Sequence, residues 1–183
     1  MNVENVRLSK FLSLLLRHKP ESIDVELDES GWISVDKLLA ACAKHGHPIT
    51  LAQLKTIVGG NDKHRFAFSV DGMMIRASQG HSVRVDLSYE RQEPPAVLYH
   101  ATASRFLVSI RNEGLQKRGR HHVHLSMSPE TALTVGRRYG KPVLLQVQAQ
   151  RMHADGYVFF LSANRVWLTD NVPVDYILFP EEL

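Results

Sequence analysis

Two adjacent prolines near the middle of the chain place the strongest constraint on its fold. Pro94 and Pro95 end the polar stretch "LSYERQEPP". Neither has a backbone N–H to donate, and each disfavours helical backbone at the residue before it. A helix or a central strand therefore cannot continue through this segment. We predict a linker near residues 88–95 and two small domains, 1–90 and 91–183, which suits a length of 183 residues.

The first half has the pattern of three helices followed by a β-hairpin. The first helix is indicated by apolar residues at helical spacing, namely Leu8, Phe11, Leu12 and Leu15. After a short strand and turn in "ELDESGW", Ser34 and Thr50 are the predicted N-caps of two further helices, "VDKLLAACAK" and "LAQLKTIVGG". The segments "RFAFSV" and "MMIRAS" flank Asp71-Gly72, which is a strong hairpin signal. This order of elements is that of a winged-helix domain.

The second half mixes strands with helices. We predict strands in "AVLYHAT" and "HVHLSM", and each is followed by a helix. The second of these helices, "SPETALTVGRRYG", has Ser128 as its N-cap and Pro129 in its first turn. Further strands are predicted in "PVLLQVQA", "YVFFLSA", "RVWLTD" and "VDYILFP". The predicted fold class of the whole chain is α+β.

Composition and charge limit the class of protein. No apolar run is long enough to span a bilayer, no signal peptide is visible, and a single cysteine, Cys42, excludes an internal disulfide, so we expect a cytoplasmic protein. No exposed heptad or large apolar face is evident, so we expect a monomer. Residues 1–95 hold 12 basic and 12 acidic residues, but residues 105–141 hold eight basic against two acidic. That local excess would attract a polyanion, although a solvated basic face is an equally good interpretation.

Several common motifs are absent from the sequence. It has no GxxxxGK[ST] loop, no GxGxxG, no CxxC pair and no HExxH, which argues against a standard kinase, a dinucleotide-fold dehydrogenase and a zinc protease. His122 and His124 share one face of a predicted strand and could chelate zinc. No cluster of Cys, Asp or Glu supplies the remaining ligands, so we predict no metal site.

The stretch "FLSLLLRHKP" raises a question, because an apolar helix ends on Arg17 and His18 before Pro20 stops it. One interpretation is that the two cations complement the helix macrodipole, by about 0.3–1 kcal/mol each. The other is a pocket for a phosphate. Leu14 and Leu16 widen the apolar stripe, so we predict a helix covered on most sides. A buried arginine at its end needs an anionic partner.

A second arginine precedes the hairpin. Phe66, Phe68 and Val70 are predicted to face the core, which places Arg65 on the opposite face of the strand. Taken alone, an ordinary exposed arginine is the preferred interpretation of Arg65.

Two histidine-containing stretches add hydrogen-bonding groups. Beyond the second hairpin strand, "SQGHSVR" brings His81 and Ser82 together. In the second half, "YHAT" is predicted to end a strand and "RHHVHLS" to enter another. His100 and Thr102 could then hold a ribose or an amide, with a packed core histidine as the alternative.

Taken together, these stretches resemble the NAD-dependent RNA 2′-phosphotransferases, a family known from tRNA splicing and RNA repair. The matching blocks, which follow the family's order over nearly the whole chain, are "LSKFLSLLLRHKP", "DESGWISVDKLL", "DKHRFAFSVDGMMIRASQGHS", "LYHATA", "RHHVHLS" and "VWLT". The resemblance implies an N-terminal winged-helix lobe that binds RNA and phosphate. It also implies a C-terminal, mixed α/β ADP-ribosyltransferase-like lobe that binds NAD⁺, with the active site between the two.

The resemblance also implies a reaction in two steps. An internal RNA 2′-monophosphate attacks the nicotinamide riboside C1″ of NAD⁺, and nicotinamide leaves. The ribose 2″-OH of the 2′-phospho-ADP-ribosylated RNA then attacks the phosphate. The products are RNA with a free 2′-OH and ADP-ribose 1″,2″-cyclic phosphate, and no metal is needed.

The family's functional residues can be carried onto this sequence. Its essential Arg-His-Arg-Arg set corresponds to Arg17, His18, Arg65 and Arg120. The RNA phosphate would be bound by Arg17, His18, Arg65, His81 and Ser82, and NAD⁺ by His100, Ala101, Thr102, His124, Leu125 and Ser126. One departure stands out: the family usually has Tyr-His-Gly-Thr where this chain has Ala101, whose methyl group could crowd the approach to NAD⁺. We expect activity to survive it.

Two other functions are compatible with parts of the sequence. An ADP-ribosyltransferase could act on another phosphorylated acceptor, and a winged helix with a degenerate partner lobe could bind nucleic acid without catalysis. Against the second, the N-terminal half carries no net positive charge, whereas a protein that tracks phosphates usually has a basic stripe.

Overall fold

The computed structural model describes residues 3–60, 64–137 and 140–180. The chain divides into two compact units, Met1–Ser88 and Tyr89–Leu183, each with its own hydrophobic core. Both units combine short helices with small antiparallel sheets, so the fold class is mixed α and β.

The first unit contains three helices and a three-stranded antiparallel sheet. In chain order its elements are α1 (Val3–Arg17), a 3₁₀ turn (Pro20–Ile23), β1 (Ile33–Ser34), α2 (Val35–Lys44), α3 (Leu51–Gly59), β2 (Phe66–Phe68) and β3 (Met74–Ala77). The strand order is β1-β3-β2, so the hairpin of β2 and β3 lies next to β1. The predicted hairpin is confirmed, with Gly72 in its turn at φ +73°.

The helix starts of this unit follow the predicted capping. Ser34 Oγ accepts from the Lys37 amide at the start of α2. Thr50 and Gln53 form a reciprocal capping box at the start of α3, which satisfies amides that the helix itself leaves unpaired. The strand predicted in "ELDESGW" is wrong, because Asp28 Oδ1 accepts from the amides of Ser30 and Trp32 and holds this segment as a turn.

The core of the first unit is formed by α1, α2, α3 and the sheet, and burial differs from the prediction at two positions. Leu12, Leu15 and Leu16 are fully buried, but Leu14 is 42% exposed, so the apolar stripe of α1 is narrower than predicted. Val70 was predicted to face the core and is instead fully exposed, because the hairpin turn begins before it.

The second unit holds three small sheets and three helices among its described residues. In chain order its elements are β4 (Leu98–Ala103), a 3₁₀ turn (Ser104–Phe106), α4 (Leu107–Glu113), β5 (Leu115–Gln116), β6 (Val123–Leu125), α5 (Pro129–Gly136), β7 (Pro142–Val147), α6 (Ala149–Ala154), β8 (Phe160–Leu161), β9 (Trp167–Thr169), β10 (Asn171–Val172), a 3₁₀ turn (Val174–Tyr176) and β11 (Ile177–Leu178). The strand orders are β11-β7-β4, β6-β9-β8 and β10-β5.

Strand β4 links two of these sheets. It pairs with β7 along all six residues, and Tyr99 forms a bridge to Ser126, just after β6. The sequence "YHAT" therefore lies inside β4 and does not end it, which corrects the prediction. Ser128 caps α5 as predicted, since its Oγ accepts from the Thr131 amide. The expected continuation of α5 includes Arg138, which lies outside the described residues.

Candidate active site

The end of α1 is joined to the segment that follows the hairpin. The carbonyl of Arg17 accepts from the amides of Ser82 at 2.8 Å and Val83 at 3.3 Å. The carbonyls in the last turn of a helix have no hydrogen-bond donors inside the helix. Here two backbone amides from a distant segment donate to one of these carbonyls. As a result, residues 65 positions apart in the sequence are held side by side.

Arg17, His18, Arg65 and Ser82 come together around this junction. Arg17 Nη2 donates to the carbonyl of Arg65 at 3.3 Å, and His18 Nδ1 lies 2.9 Å from Ser82 Oγ. The amide of Ser78 also donates to the Arg65 carbonyl, at 2.9 Å, so β3 fixes the backbone on which Arg65 sits. Four of the five predicted phosphate-binding residues thus belong to one cluster, which we call the α1 cluster.

His81, the fifth predicted residue, is buried. It is 2% exposed, and its Nε2 would lie 3.5 Å from a Cβ placed on Gly31, which has φ +78°. Its ring therefore packs against the turn before β1, while its neighbour Ser82 joins the α1 cluster.

In the second unit, His100 is held in a defined tautomer. Its Nδ1 lies 3.0 Å from the carbonyl oxygen of His124. A carbonyl only accepts, so Nδ1 carries the proton and Nε2 of the neutral ring is an acceptor. Burial lowers the pKa of His100, the His124 carbonyl opposes that effect, and the charge of Arg120 lowers the pKa further. The imidazole is therefore kept neutral around pH 7 and can accept a hydrogen bond from a hydroxyl.

The other predicted residues of this unit surround His100. Arg120 Nη1 lies 3.3 Å from His124 Nδ1, and Ser126 exchanges two backbone hydrogen bonds with Tyr99, at 2.8 and 2.9 Å. Leu125 is 1% exposed, so its side chain packs in the core and does not reach a ligand. We call His100, Thr102, Arg120, His124 and Ser126 the β4 cluster.

Ala101 faces away from this cluster. Successive side chains of a strand point to opposite faces, so His100 and Thr102 share one face of β4 and Ala101 the other. A Cβ placed on Gly136 of α5 would lie 2.6 Å from the Ala101 Cβ, so the methyl group points at this helix. The crowding that the sequence suggested is thus directed at α5 and not at the face that carries His100.

Sequence reasoning missed the residues that hold the Arg120 loop. Lys117 Nζ pairs with Asp170 at 3.1 Å, and Arg118 Nη2 pairs with Glu113 at 3.0 Å. Both pairs bracket the loop just before Arg120, and Arg118 has a left-handed φ of +53°. Asp170 is far along the chain from Lys117, and the register of β5 on β10, in which Gln116 is opposite Asn171, is what brings the first pair together.

Two further structural features bear on the class of protein. Within residues 3–60, 64–137 and 140–180, no group of three or more His, Cys, Asp or Glu side chains is placed to hold a metal ion. Over the same ranges, none of the helices has the length and hydropathy needed to cross a membrane.

Comparison with known proteins identifies the family. Residues 3–171 match the profile described as RNA 2′-phosphotransferase, Tpt1 / KptA family. The chain belongs to this family. The proteins named "Probable RNA 2′-phosphotransferase" from Acaryochloris marina and Rhodopirellula baltica are 53% and 54% identical to it, over 93% and 96% of this chain and 94% and 96% of theirs. One from Pseudomonas aeruginosa is 55% identical over 92% of this chain and 93% of its own.

Membership in the RNA 2′-phosphotransferase family makes the chain an enzyme of the transferase class. Because the match covers both units almost completely, the α1 cluster and the β4 cluster both fall inside the matched region.

Proposed function

We propose that this enzyme removes an internal 2′-monophosphate from RNA and transfers it to NAD⁺. The products would be RNA with a 2′-OH, ADP-ribose 1″,2″-cyclic phosphate and nicotinamide. We assign residues 1–90 to a winged-helix lobe that binds the RNA phosphate and residues 91–183 to an ADP-ribosyltransferase-like lobe that binds NAD⁺. The three helices and three-stranded sheet of the first unit and the helix-flanked small sheets of the second support this assignment.

The observation that carries the proposal is the convergence in the α1 cluster of Arg17, His18 and Arg65. Arginine forks bind phosphate oxygens in pairs and keep their charge at any working pH. The hydrogen bond from Arg17 Nη2 to the Arg65 carbonyl brings the guanidinium of Arg17 to the backbone of Arg65, although 48 residues separate them in sequence. Such a pair suits a phosphate dianion better than it suits a single carboxylate.

The chemistry follows from these residue types. A phosphate dianion is already nucleophilic, so the first step, in which its oxygen bonds to C1″ and the bond from C1″ to nicotinamide breaks, needs positioning more than a base. In the second step the 2″-OH attacks phosphorus and the bond to the RNA 2′-oxygen breaks. Charge then grows on the non-bridging oxygens, and Arg17, Arg65 and Arg120 would stabilise it. The RNA 2′-oxygen leaves with the proton of the 2″-OH, and His18 is the candidate for moving it.

The β4 cluster has the donors and acceptors that a ribose needs. Nε2 of neutral His100 would accept from a ribose hydroxyl, and the side-chain hydroxyls of Thr102 and Ser126 can each donate and accept, whereas the Ser126 backbone already pairs with Tyr99. Arg120, which sits beside His124, carries a positive charge for the pyrophosphate or the transferring phosphate. NAD⁺, when bound, would supply the electrophilic C1″.

A single assay tests the proposal. The protein is mixed with NAD⁺ and a short RNA that carries one 2′-phosphate at a 3′,5′ linkage, and products are followed by gel and mass spectrometry. We expect loss of the phosphate and appearance of the cyclic-phosphate product. Arg65→Ala should lower the rate by at least about a hundredfold, as loss of one donor to a developing oxyanion does elsewhere. Arg7→Ala, an exposed arginine on α1, is the matched control and should keep full activity.

The assay also separates the alternatives. An RNA adduct that depends on NAD⁺ and never resolves would keep the transferase assignment but reject the second step. ADP-ribosylation of a phosphorylated end, with the internal 2′-phosphate untouched, would favour a different acceptor. RNA binding without any reaction or NAD⁺ binding would favour the non-catalytic interpretation.

A further inference from the structure

A second arginine lies on the same face of the first unit's sheet as Arg65. In the register of β2 on β3, Ala67 is opposite Arg76. Two residues further along each strand, the amide of Ser78 donates to the Arg65 carbonyl. Side chains two positions apart share a face, so Arg65 and Arg76 are diagonal cross-strand neighbours, about 7–8 Å apart at Cα. The residues between them in register, Phe66 and Ala77, point into the core.

Arg76 is held in one orientation by its surroundings. Its guanidinium carbon lies 4.5 Å from the ring centroid of Trp32, and Nη1 donates to the carbonyl of Ser30 at 3.4 Å. Trp32 is next to Arg76 in the sheet because Ile33 of β1 pairs with Ile75 of β3. A guanidinium stacked on a ring keeps its N–H edges for hydrogen bonds, and this preorganisation lowers the entropy lost when a ligand binds.

Within the described part of the chain, no carboxylate forms an ion pair with Arg76. The turn before Trp32 contains Asp28 and Glu29, and Asp28 Oδ1 accepts from the amides of Ser30 and Trp32. The outer face of the sheet therefore presents two cations, Arg65 and Arg76, of which one is fixed by stacking.

We propose that Arg76, stacked on Trp32, binds an RNA backbone phosphate that lies outside the dinucleotide unit carrying the 2′-phosphate. This inference rests on the proposed function, in which Arg65 binds the 2′-phosphate. An RNA whose 2′-phosphate is bound by Arg65 continues in both directions with one negative charge per nucleotide. Arg76 lies diagonally across the sheet from Arg65 and would pair with one of these backbone phosphates. The occupant is thus single-stranded RNA, bound through its backbone and not through its bases.

The test compares two RNAs and four variants. A fluorescent RNA decamer with one internal 2′-phosphate and a dinucleotide with the same 2′-phosphate are the probes. The variants are Arg76→Gln, Arg76→Lys, Trp32→Leu and, as the matched control, Lys55→Gln on the exposed side of α3. Decamer binding is measured by anisotropy without NAD⁺ over a salt series, and KM by nicotinamide release for both RNAs. Thermal melts check that every variant is folded.

We expect Arg76→Gln to weaken decamer binding at least about tenfold, the range of a hydrogen bond to a charged group. The slope of log K against log salt should fall by about 0.7, the value for one lost phosphate contact on a single strand. KM should rise for the decamer and stay unchanged for the dinucleotide. The decamer affinities of Arg76→Lys and Trp32→Leu should lie between those of Arg76→Gln and the wild type. The affinity of Lys55→Gln should match that of the wild type.

The remaining outcomes would overturn the inference. Equal effects of Arg76→Gln on both RNAs would make Arg76 part of the 2′-phosphate site or of the fold. Unchanged decamer binding by a folded variant would make the stack with Trp32 purely structural. A loss that depends on base identity with an unchanged salt slope would indicate base recognition. If the wild type turns over neither RNA but its decamer binding still depends on Arg76, the proposed function fails while this subsite stands.

Discussion

The contact between Ala101 and Gly136 predicts a strong coupling between β4 and α5. A Cβ on Gly136 would lie 2.6 Å from the Ala101 Cβ and 3.2 Å from the carbonyl carbon and oxygen of the same residue. Real Cβ atoms do not approach another atom to 2.6 Å. Since β4 is paired with β7 along six residues, the strand cannot move alone, and α5 must shift to admit the methyl group.

This geometry sets the size of the effect. Overpacking of one methyl group in a packed interior costs about 1–3 kcal/mol, and we expect Gly136→Ala to destabilise the second unit by that amount. Replacing a glycine in a helix can return up to about 1 kcal/mol, but position 136 is the last residue of α5, so the gain is small. Ala101→Gly removes the 2.6 Å contact with the methyl group and leaves the two 3.2 Å contacts with the backbone carbonyl of residue 101. The cost of Gly136→Ala should therefore fall by about 1–2 kcal/mol in that background.

The two units must be observed separately, because a protein of two units need not unfold in one step. Trp32 lies in the first unit and Trp167 in the core of the second, and the sequence has two tryptophans. All variants are therefore made with Trp32→Phe, so that urea unfolding followed by fluorescence reports the second unit alone. Each 1 kcal/mol lost from the free energy of unfolding should also lower Tm by about 4–8 °C for a domain of 60–100 residues.

Two results would refute this reasoning. If Gly136→Ala is neutral, or equally costly with and without Ala101→Gly, the methyl group does not point at α5. If Ala101→Gly alone lowers KM for NAD⁺ several-fold, the methyl group faces the cofactor. We expect that single variant to change KM for NAD⁺ by less than about twofold and to cost about 0.5–1 kcal/mol of stability through the added glycine.

Three further predictions concern stability and reactivity. Because burial lowers the pKa of folded His100, the unfolded chain takes up its proton first, near the ordinary pKa of about 6.5. The free energy of unfolding should therefore fall as pH drops below about 6.5, and less steeply in His100→Gln, as urea titrations at several pH values would show. Burial raises the pKa of Cys42 to about 11, so iodoacetamide at pH 8 should leave it unmodified in native protein and label it fully in urea. Thr50→Ala removes one half of the capping box on α3 and should cost about 1 kcal/mol in urea unfolding of the first unit, whereas Thr131→Ala, in the other unit, should leave that transition unchanged.

The parts of the fold that local chemistry determines could be predicted from the sequence. Ser34, Thr50 and Ser128 cap helices where predicted. The hydroxyl of a residue just before a helix accepts a hydrogen bond from an amide of the first turn, and this contact is local in the sequence. Helix α6 was missed because it is six residues long and has no side-chain cap at Gln148. The pairing of β5 with β10 was also missed, since two-residue strands that far apart leave no periodic pattern.

Burial was harder to predict than secondary structure. Leu14 has the same side chain as Leu15 and Leu16, and only the position of the neighbouring elements decides that it is exposed. The residue types at the candidate site were visible in the sequence because Arg17 and His18 follow an apolar run directly and Pro20 ends the helix there. Their convergence was not visible, because it depends on the amide of Ser82 reaching the carbonyl of Arg17.

That hydrogen bond also decides how the end of α1 should be understood. Cations at a helix terminus are needed as caps where its last carbonyls have no other donors. Here the carbonyl of Leu14 accepts from the amides of His18 and Lys19, and the carbonyl of Arg17 accepts from those of Ser82 and Val83. The guanidinium of Arg17 donates across to the Arg65 carbonyl. A positive charge at the end of a helix stabilises it through the macrodipole by about 0.3–1 kcal/mol, and a lysine would supply that charge equally well. The planar fork is the property that capping leaves unexplained and that bidentate binding of a phosphate would use. In the RNA assay Arg17→Lys should lose phosphate transfer, while urea unfolding should show a cost no larger than that of the one hydrogen bond to Arg65, about 0.5–1.5 kcal/mol.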